Sequence, residues 1–422
     1  MNNPPQHLIG RNVKGAAENF VSDRPPIIVH CHLRWDFVWQ RPQQIFSRLS
    51  KYYPVLFIEE PLQEDSAPEI RVCEAYPNVF RIIPVLNGHT MEYDGQCAAL
   101  LPFVRDWLER HGFGPNRIAA GVQWFYSPMA APLWLHRFGE ALIVYDCMDE
   151  LANFRFAPAD IGAREQFLLE KADVVFTGGY HLFETKSRHH TNTHFYGCGV
   201  DVDHYSRARM ADTAVPAEVA HLPHPVLGYF GVIDERIDYD LITRLCRAFP
   251  GGSVVMVGPF AKVDPHTLPS LPNLYWLGQR AYAELPALVK AFDVCLMPFA
   301  LNKATQYINP TKTLEYMAAG KAIVSTAVPD VVRNFTPVVA VANSPDEFIE
   351  AVRCASANPD TGLIAEGIAR AEVSSWESTV AAMHRHILDA MDARQIAVTT
   401  GEHSTPPCGA SGLAINKEGL NL

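Results

Sequence analysis

Residues 307–326 read YINPTKTLEYMAAGKAIVST. Asn309 has the short polar side chain that caps helices. Pro310 suits a first helical position, where its missing N–H has no intrahelical partner to lose. Gly320 supplies the stop, and the run at 322–326 predicts a short buried strand. The amides of Thr311 and Lys312 then point out of a helix N-terminus, a natural seat for a phosphate, and Lys312 adds a full positive charge. Glu315 follows Lys312 by three residues and Thr311 by four, so all three can face one ligand. A phosphate-binding end followed by a carboxylate that accepts two hydroxyl hydrogen bonds suits a nucleoside diphosphate with its ribose. The plainer alternative is an amphipathic helix with Lys312 and Glu315 as a solvated pair, and spacing alone does not choose between them.

Outward from this segment, strand and helix patterns alternate. Residues 26–33 (PIIVHCHL) predict a buried strand, 43–52 a helix and 55–59 (VLFIE) the next strand. Such a unit makes a parallel sheet, whose ligands bind beyond the carboxyl ends of its strands. Further strands are expected at 79–84, 118–125, 142–146, 174–177 and 194–196, with helices at 101–111, 162–172 and 180–188. The alternation restarts after an Ala/Pro/His-rich run. Strands are expected at 226–230, 253–257, 274–277, 294–298 and 338–341, with helices at 239–248, 282–290, 345–355 and 363–372. A last helix follows Ser375, with Val380, Met383, Ile387 and Met391 at helical spacing. The expected division is a lead-in at 1–25, a first domain at 26–205, a linker at 206–224, a second domain at 225–374, a helix at 375–394 and a disordered tail at 395–422. At 422 residues, two domains is the sensible prior.

Composition narrows the class. Hydrophobic content of 48% and charged content of 19% describe a well-packed globular chain. A net charge of −11 argues against general nucleic-acid binding. The nine cysteines show no CxxC and no metal-ligand spacing, which points to reduced, mostly buried thiols. The start, MNNPPQHLIGRNVKG, has no apolar stretch of a signal peptide, and no apolar run approaches 18 residues. A cytoplasmic protein, working at most peripherally at the inner face of a membrane, is the expectation.

The chain lacks GxGxxG after a strand, GxxxxGK[ST], HExxH and GxSxG, which weighs against dehydrogenase, P-loop, zinc-protease and α/β-hydrolase chemistry. Asp201-Val202-Asp203 and Asp238-Tyr239-Asp240 fit a D-x-D metal pattern, but neither ends a convincing strand, Asp238 reads better as a helix cap, and no metal is expected. Gly231, after the first strand of the second domain, would let backbone approach a diphosphate closely. His32 and Asp36 follow the first strand and are candidate bases for an acceptor hydroxyl; a loop cluster in which Trp35 and Trp39 pack is the alternative. Asp146, Asp149 and Glu150 crowd a strand end. Crowding raises a carboxylate's pKa, and Asp149 is the favoured base if the reaction inverts; helix capping is its alternative.

The run NPTKTLEYMAAGKAIVST resembles the sugar-nucleotide-binding segment of GT-B glycosyltransferases, especially the family 4-like group. The run HLRWDFVWQRPQQIFSRL, residues 32–49, resembles the N-terminal segment of bacterial polysaccharide and teichuronic-acid type glycosyltransferases. The resemblance implies an α/β fold of two Rossmann-like domains facing across a cleft, with the last helix crossing back to the first domain. It implies a metal-independent transfer from a nucleotide diphosphate sugar to a glycan or lipid-linked acceptor, with no other cofactor. Glu315 would hold the ribose, and Asn309, Thr311, Lys312, Gly231 and Arg236 would surround the diphosphate. The family usually carries a second glutamate eight residues before Glu315, and Tyr307 stands there instead. A non-catalytic nucleotide-sugar-binding or scaffold subunit, an epimerase and a phosphorylase remain alternatives.

Overall fold

Five-residue runs such as Ile27–Cys31, Val55–Glu59 and Val226–Phe230 are buried at every position. A strand with no exposed face belongs in a sheet covered on both sides, the setting of parallel sheets flanked by helices. The computed structural model describes residues 24–65, 68–87, 93–139, 142–154 and 157–400, and it contains two such sheets.

The first holds β1 (Ile27–Cys31), β2 (Val55–Glu59), β3 (Leu62–Glu64), β4 (Glu69–Tyr76), β5 (Val79–Asn87), β6 (Val122–Phe125), β7 (Leu142–Cys147), β8 (Val174–Thr177) and β9 (Thr193–Phe195). Their order is β3-β5-β2-β1-β6-β7-β8-β9, with β4 antiparallel on β5. The second holds β10 (Val226–Phe230), β11 (Ser253–Val257), β12 (Leu274–Gly278), β13 (Val294–Met297), β14 (Ala322–Thr326) and β15 (Val339–Ala342), in the order β12-β11-β10-β13-β14-β15. In both sheets the winding direction reverses at the central strand, β1 between β2 and β6, β10 between β11 and β13. Such reversals leave a crevice at the strands' carboxyl ends, where ligands of these sheets bind.

The last helix, Trp376–Thr400, returns to the first domain. Its Trp376, Val380, Met383 and Ile387 are buried with Val29, Phe57 and Val144 of the first sheet. It continues six residues into the stretch expected to be disordered; residues 401–422 of that stretch, and 1–23 of the expected lead-in, lie outside the described residues. The strand expected at 118–125 is corrected. Pro115–Ala119 is a helical turn with proline at its start, and the strand begins at Val122. Residues 206–224 are not a bare linker: Ala208, Val219 and Leu222 are buried in the second core, and Lys290 Nζ donates to the carbonyls of Met210 and Thr213 at 2.6 and 2.7 Å.

Candidate functional site

A cleft of about 480 Å³ lies between the two sheets' carboxyl ends. On the second-domain side, β10 is followed by Gly231 (φ +139°) and β11 by Gly258 (φ +146°), angles that L side chains rarely adopt. A Cβ on Gly258 would lie 1.8 Å from the Gly231 carbonyl oxygen, and one on Gly231 would lie 2.1 Å from Lys312 Cε. The two loops pass backbone to backbone, and the Lys312 side chain lies across the end of β10. Gly231 therefore makes room for Lys312 itself.

The helix bearing Lys312 runs Lys312–Ala318, with Thr311 at its cap position. The expected cap, Asn309, is corrected. It lies two residues upstream, and its Nδ2 donates to the Gly178 carbonyl of the first domain at 3.1 Å. Glu315 is buried and Lys312 half-buried in the cleft wall. Burial pushes the Lys312 ammonium down, against the pull of Glu315, and its Nζ stands 5.4 Å from the Tyr229 ring centroid. Burial likewise pushes the Glu315 carboxyl up to about 7, against Lys312 and the Tyr205 hydroxyl. Neither forms an ion pair with a described residue. They are not the solvated pair of the plainer alternative: Glu315 is only 8% exposed. Arg236 lines the same cleft, but its Nε and Nη2 bond the Asp234 carboxylate at 3.0 and 2.7 Å, so much of its charge is committed.

On the first-domain side, the three crowded carboxylates separate. Asp146 is wholly buried and bonded by Arg41 Nε at 3.0 Å. Glu150 accepts from Lys186 Nζ at 2.8 Å. Only Asp149 lines the cleft. Burial pushes it up to about 6, with Arg236 and Arg41 pulling it down and Asp234 pushing it further. Asp36 is exposed at the cleft mouth and paired with Arg81. His32 does not line the cleft. Strand alternation sends it to the same side as His30, which stacks on Phe125, and it borders a separate hollow of about 20 Å³ beside Glu60 and Trp134. Burial pushes its imidazole down to about 4, so it is neutral at pH 7.

Trp39 packs on Trp35 as the alternative for that loop had it, with ring centroids 5.8 Å apart, but contacts between the domains were not expected. Trp39 sits 5.8 Å from the Tyr282 ring across the opening, and Gln44 Nε2 donates to the Tyr282 hydroxyl at 3.2 Å. Outside the cleft lining, Asp330 of the second domain accepts from the amide of Tyr180 at 2.7 Å. The signal for Trp39 was present in the aromatic run at 35–39; nothing local marks Asp330. Both D-x-D runs are helix caps: Asp201 and Asp238 accept from the amides of His204 and Leu241 at 3.1 and 2.8 Å. Among the described residues, no three His, Cys, Asp or Glu side chains converge as a metal requires.

Residues 225–358 match the family described as Glycosyl transferases group 1. The second domain is a group 1 glycosyltransferase domain. Over 233 residues the chain is 25% identical to a Bacillus subtilis (strain 168) protein that carries the name teichuronic acid biosynthesis glycosyltransferase TuaH. That match takes in 51% of this chain and 58% of the relative, so the chain spans little more than half the relative's length. Among solved structures, sucrose-phosphate synthase from Thermosynechococcus elongatus superposes with a TM-score of 0.65 at 16% identity, covering 88% of this chain and all of that one. An Escherichia coli trehalose-6-phosphate protein bound with UDP-2-fluoro glucose gives 0.60 at 13% identity, covering 87% and 99%. Anabaena HepE in complex with UDP gives 0.59 at 13% identity, covering 86% and 100%. At these identities the likeness is one of fold, and the fold is GT-B. The group 1 domain contributes the cleft wall that holds Gly231, Arg236, Lys312 and Glu315. Tyr307, which stands where the family usually has its first glutamate, points elsewhere: its ring lies 4.8 Å from His181 and packs on the first domain.

Proposed function

We propose that the protein transfers a sugar from a nucleotide diphosphate sugar to a hydroxyl of a glycan or lipid-linked acceptor in cell-surface polysaccharide synthesis. The observation that carries this reading is the half-buried Lys312 and buried Glu315 in the cleft, which Asp149 of the first domain also lines. A half-buried ammonium and a buried carboxylate without ion-pair partners among the described residues fit a ligand that brings both an anion and hydroxyls. Lys312 would face the diphosphate and Glu315 the ribose. As the bond from the sugar's anomeric carbon to the diphosphate breaks, its electron pair leaves with the phosphate oxygen. A fixed positive charge at Lys312 stabilises that growing charge without reorganising. In an inverting transfer the acceptor oxygen bonds to the anomeric carbon and its proton passes to Asp149, a base whose pKa of about 6 suits neutral pH. The teichuronic-acid name of the Bacillus relative supports a surface polysaccharide as product. A lipid-linked acceptor would bring the protein to the inner face of a membrane; no described helix is long and apolar enough to cross one.

A thermal-shift panel of UDP, GDP, ADP, CMP and dTDP, each with and without magnesium, tests this. A ligand that binds only the folded state raises the melting midpoint. One selective, metal-independent shift is expected. No shift from any of them would favour a scaffold that has lost its ligand.

A further inference from the structure

Asp330 lies outside the cleft lining, in the second domain, in the first turn of the helix Pro329–Phe335. It is 2% exposed. Its carboxylate reaches across the domain boundary. Oδ2 accepts from the Tyr180 amide at 2.7 Å and Oδ1 from the His181 amide at 3.4 Å. Those amides open the first-domain helix Tyr180–Lys186, and the residue before them, Gly179, has no side chain with which to cap it. Amides in a helix's first turn have no partner within the helix, and here the other domain supplies one. Gly179 admits the carboxylate: a Cβ there would lie 2.9 Å from Asp330 Oδ2 and 3.0 Å from the Tyr307 carbonyl oxygen. Arg333, on the same helix as Asp330, lays its guanidinium 3.4 Å from the Tyr180 ring centroid.

The segment that Asp330 grips holds Asp149 from both sides. Ahead of the helix, the Gly178 amide donates to the Cys147 carbonyl at 2.9 Å, and a Cβ on Gly178 would lie 3.2 Å from Met148 Cα. At the helix's far end, Lys186 is 4% exposed and its Nζ donates to Glu150 at 2.8 Å and to Glu165 at 2.7 Å. Glu165 in turn accepts from the Tyr145 hydroxyl at 2.6 Å. Residues 147 and 148 are thus fixed by one end of the segment and residue 150 by the other, with Asp149 between them. A helix of seven residues has little stability of its own, so its seating depends on what its ends touch.

We propose that Asp330 is a positioning residue for Asp149, seating the helix Tyr180–Lys186 so that Gly178 and Lys186 hold residues 147–150 in place. Its part in catalysis rests on the reading of Asp149 as the base. The domain that carries Lys312 and Glu315 then also places the group that works against them, and the two sides of the reaction are assembled in one event.

Hydrogen-exchange mass spectrometry on the ligand-free full chain tests this with Asp330→Ala, Asp330→Asn and Lys186→Met. Asp330→Ala should speed exchange about tenfold at 180–186, the scale of a lost cap, and also at 147–154, with β1 and β10 unchanged. Asp330→Asn keeps one acceptor oxygen and should restore at least part of the protection in both segments. Lys186→Met should loosen 147–154 and leave 180–182 protected. Faster exchange at 180–186 alone, or at neither segment, would overturn the proposal. A rise spreading equally to β1 and β10 would overturn it too, since Asp330 would then support the whole fold. So would an unmoved 147–154 in Lys186→Met. A second readout is the acid limb of kcat/KM for hydrolysis of UDP-glucose or GDP-mannose. Asp149 is faced by Arg236, Asp234 and Arg41, and burial raises its pKa to about 6. The limb should move below 6 in Asp330→Ala, as that burial is lost, and stay in place in Asp330→Asn. A stationary limb in Asp330→Ala would overturn the proposal. If Asp149→Asn keeps the limb, the base reading falls instead, and the exchange data still decide whether Asp330 places residues 147–150.

Discussion

The two walls of the cleft handle buried charge differently. Behind the first-domain wall nearly every buried charge among the described residues already has a partner: Arg41 with Asp146, Lys186 with Glu150 and Glu165, and Glu59 with Arg34 and Arg81. On the second-domain wall Arg236 is likewise paired with Asp234, but the half-buried Lys312 and buried Glu315 have their protonation held away from ordinary values and no ion pair to a described residue. Burial costs a charge its hydration, and a matched partner repays that cost in the folded chain itself. Where no partner is supplied, the repayment awaits a ligand. Most of the first domain's buried charge is satisfied by folding; Lys312 and Glu315 on the second wall are left for binding. Asp149 is the exception on its own wall, the one carboxylate among the described residues there that faces the cleft without an ion pair.

That contrast can be broken at several points. The largest effect should come from the exception. Asp149→Asn removes the proposed base and should lower kcat by roughly two to four orders of magnitude. In the unaltered protein, kcat/KM should rise with pH through about 6, as the Asp149 proton is lost, and this limb should be missing in the variant. A retained limb would place the base elsewhere. Next come two cations, buried Arg41 and half-buried Lys312, that the contrast sets against each other. Arg41→Ala strands Asp146 and should cost about 3–5 kcal/mol in denaturant unfolding. Lys312→Ala should leave stability nearly untouched yet cost roughly two to three orders of magnitude in turnover. Equal losses of stability and activity at Lys312 would erase the distinction between the walls. The smallest effect is at Glu315. Glu315→Gln should weaken nucleotide binding by about 1–3 kcal/mol. Its folded pKa of about 7 is raised from an ordinary 4.5, so its contribution to stability is present below 4.5 and lost as pH rises through 7. A neutral Gln escapes that loss. The ligand-free variant should therefore melt higher than the unaltered protein at pH 8, and at much the same temperature at pH 4.

The architecture was legible because parallel strands buried on both faces leave apolar runs that need no context; β10, β11 and β14 appear in the structure at the boundaries expected. β4 was not legible. Its residues alternate between half-buried and exposed, with Glu69, Arg71 and Glu74 among them, as befits an antiparallel strand with one wet face. In the site, Lys312 and Glu315 could be paired from their spacing because a helix makes them neighbours. Asn309 was misread because a cap and a bridge between domains ask for the same short amide, and its partner is 131 residues away. His32 was misplaced by a rule about strand ends that says nothing of which face a side chain takes. Arg41 and Asp146 went unpaired for the same reason as Asn309, since their 105-residue separation carries no local signature.

The chain passes between the domains twice, and the two passages touch. Val200 N donates to the Ser374 carbonyl at 2.9 Å, and Trp376 N donates to the Val200 carbonyl at 3.3 Å. Gly199 allows this, since a Cβ there would lie 2.8 Å from Trp376 N. Mechanically, the pair of tethers behaves as one axle. Pulling the halves straight apart would strip both bonds and draw Trp376 out of the first core, whereas swinging them about that point would strip neither. Tyr282 lies beside this crossing, its ring stacked 4.1 Å from His204, so the Gln44–Tyr282 bond between the domains belongs to the same pivot region.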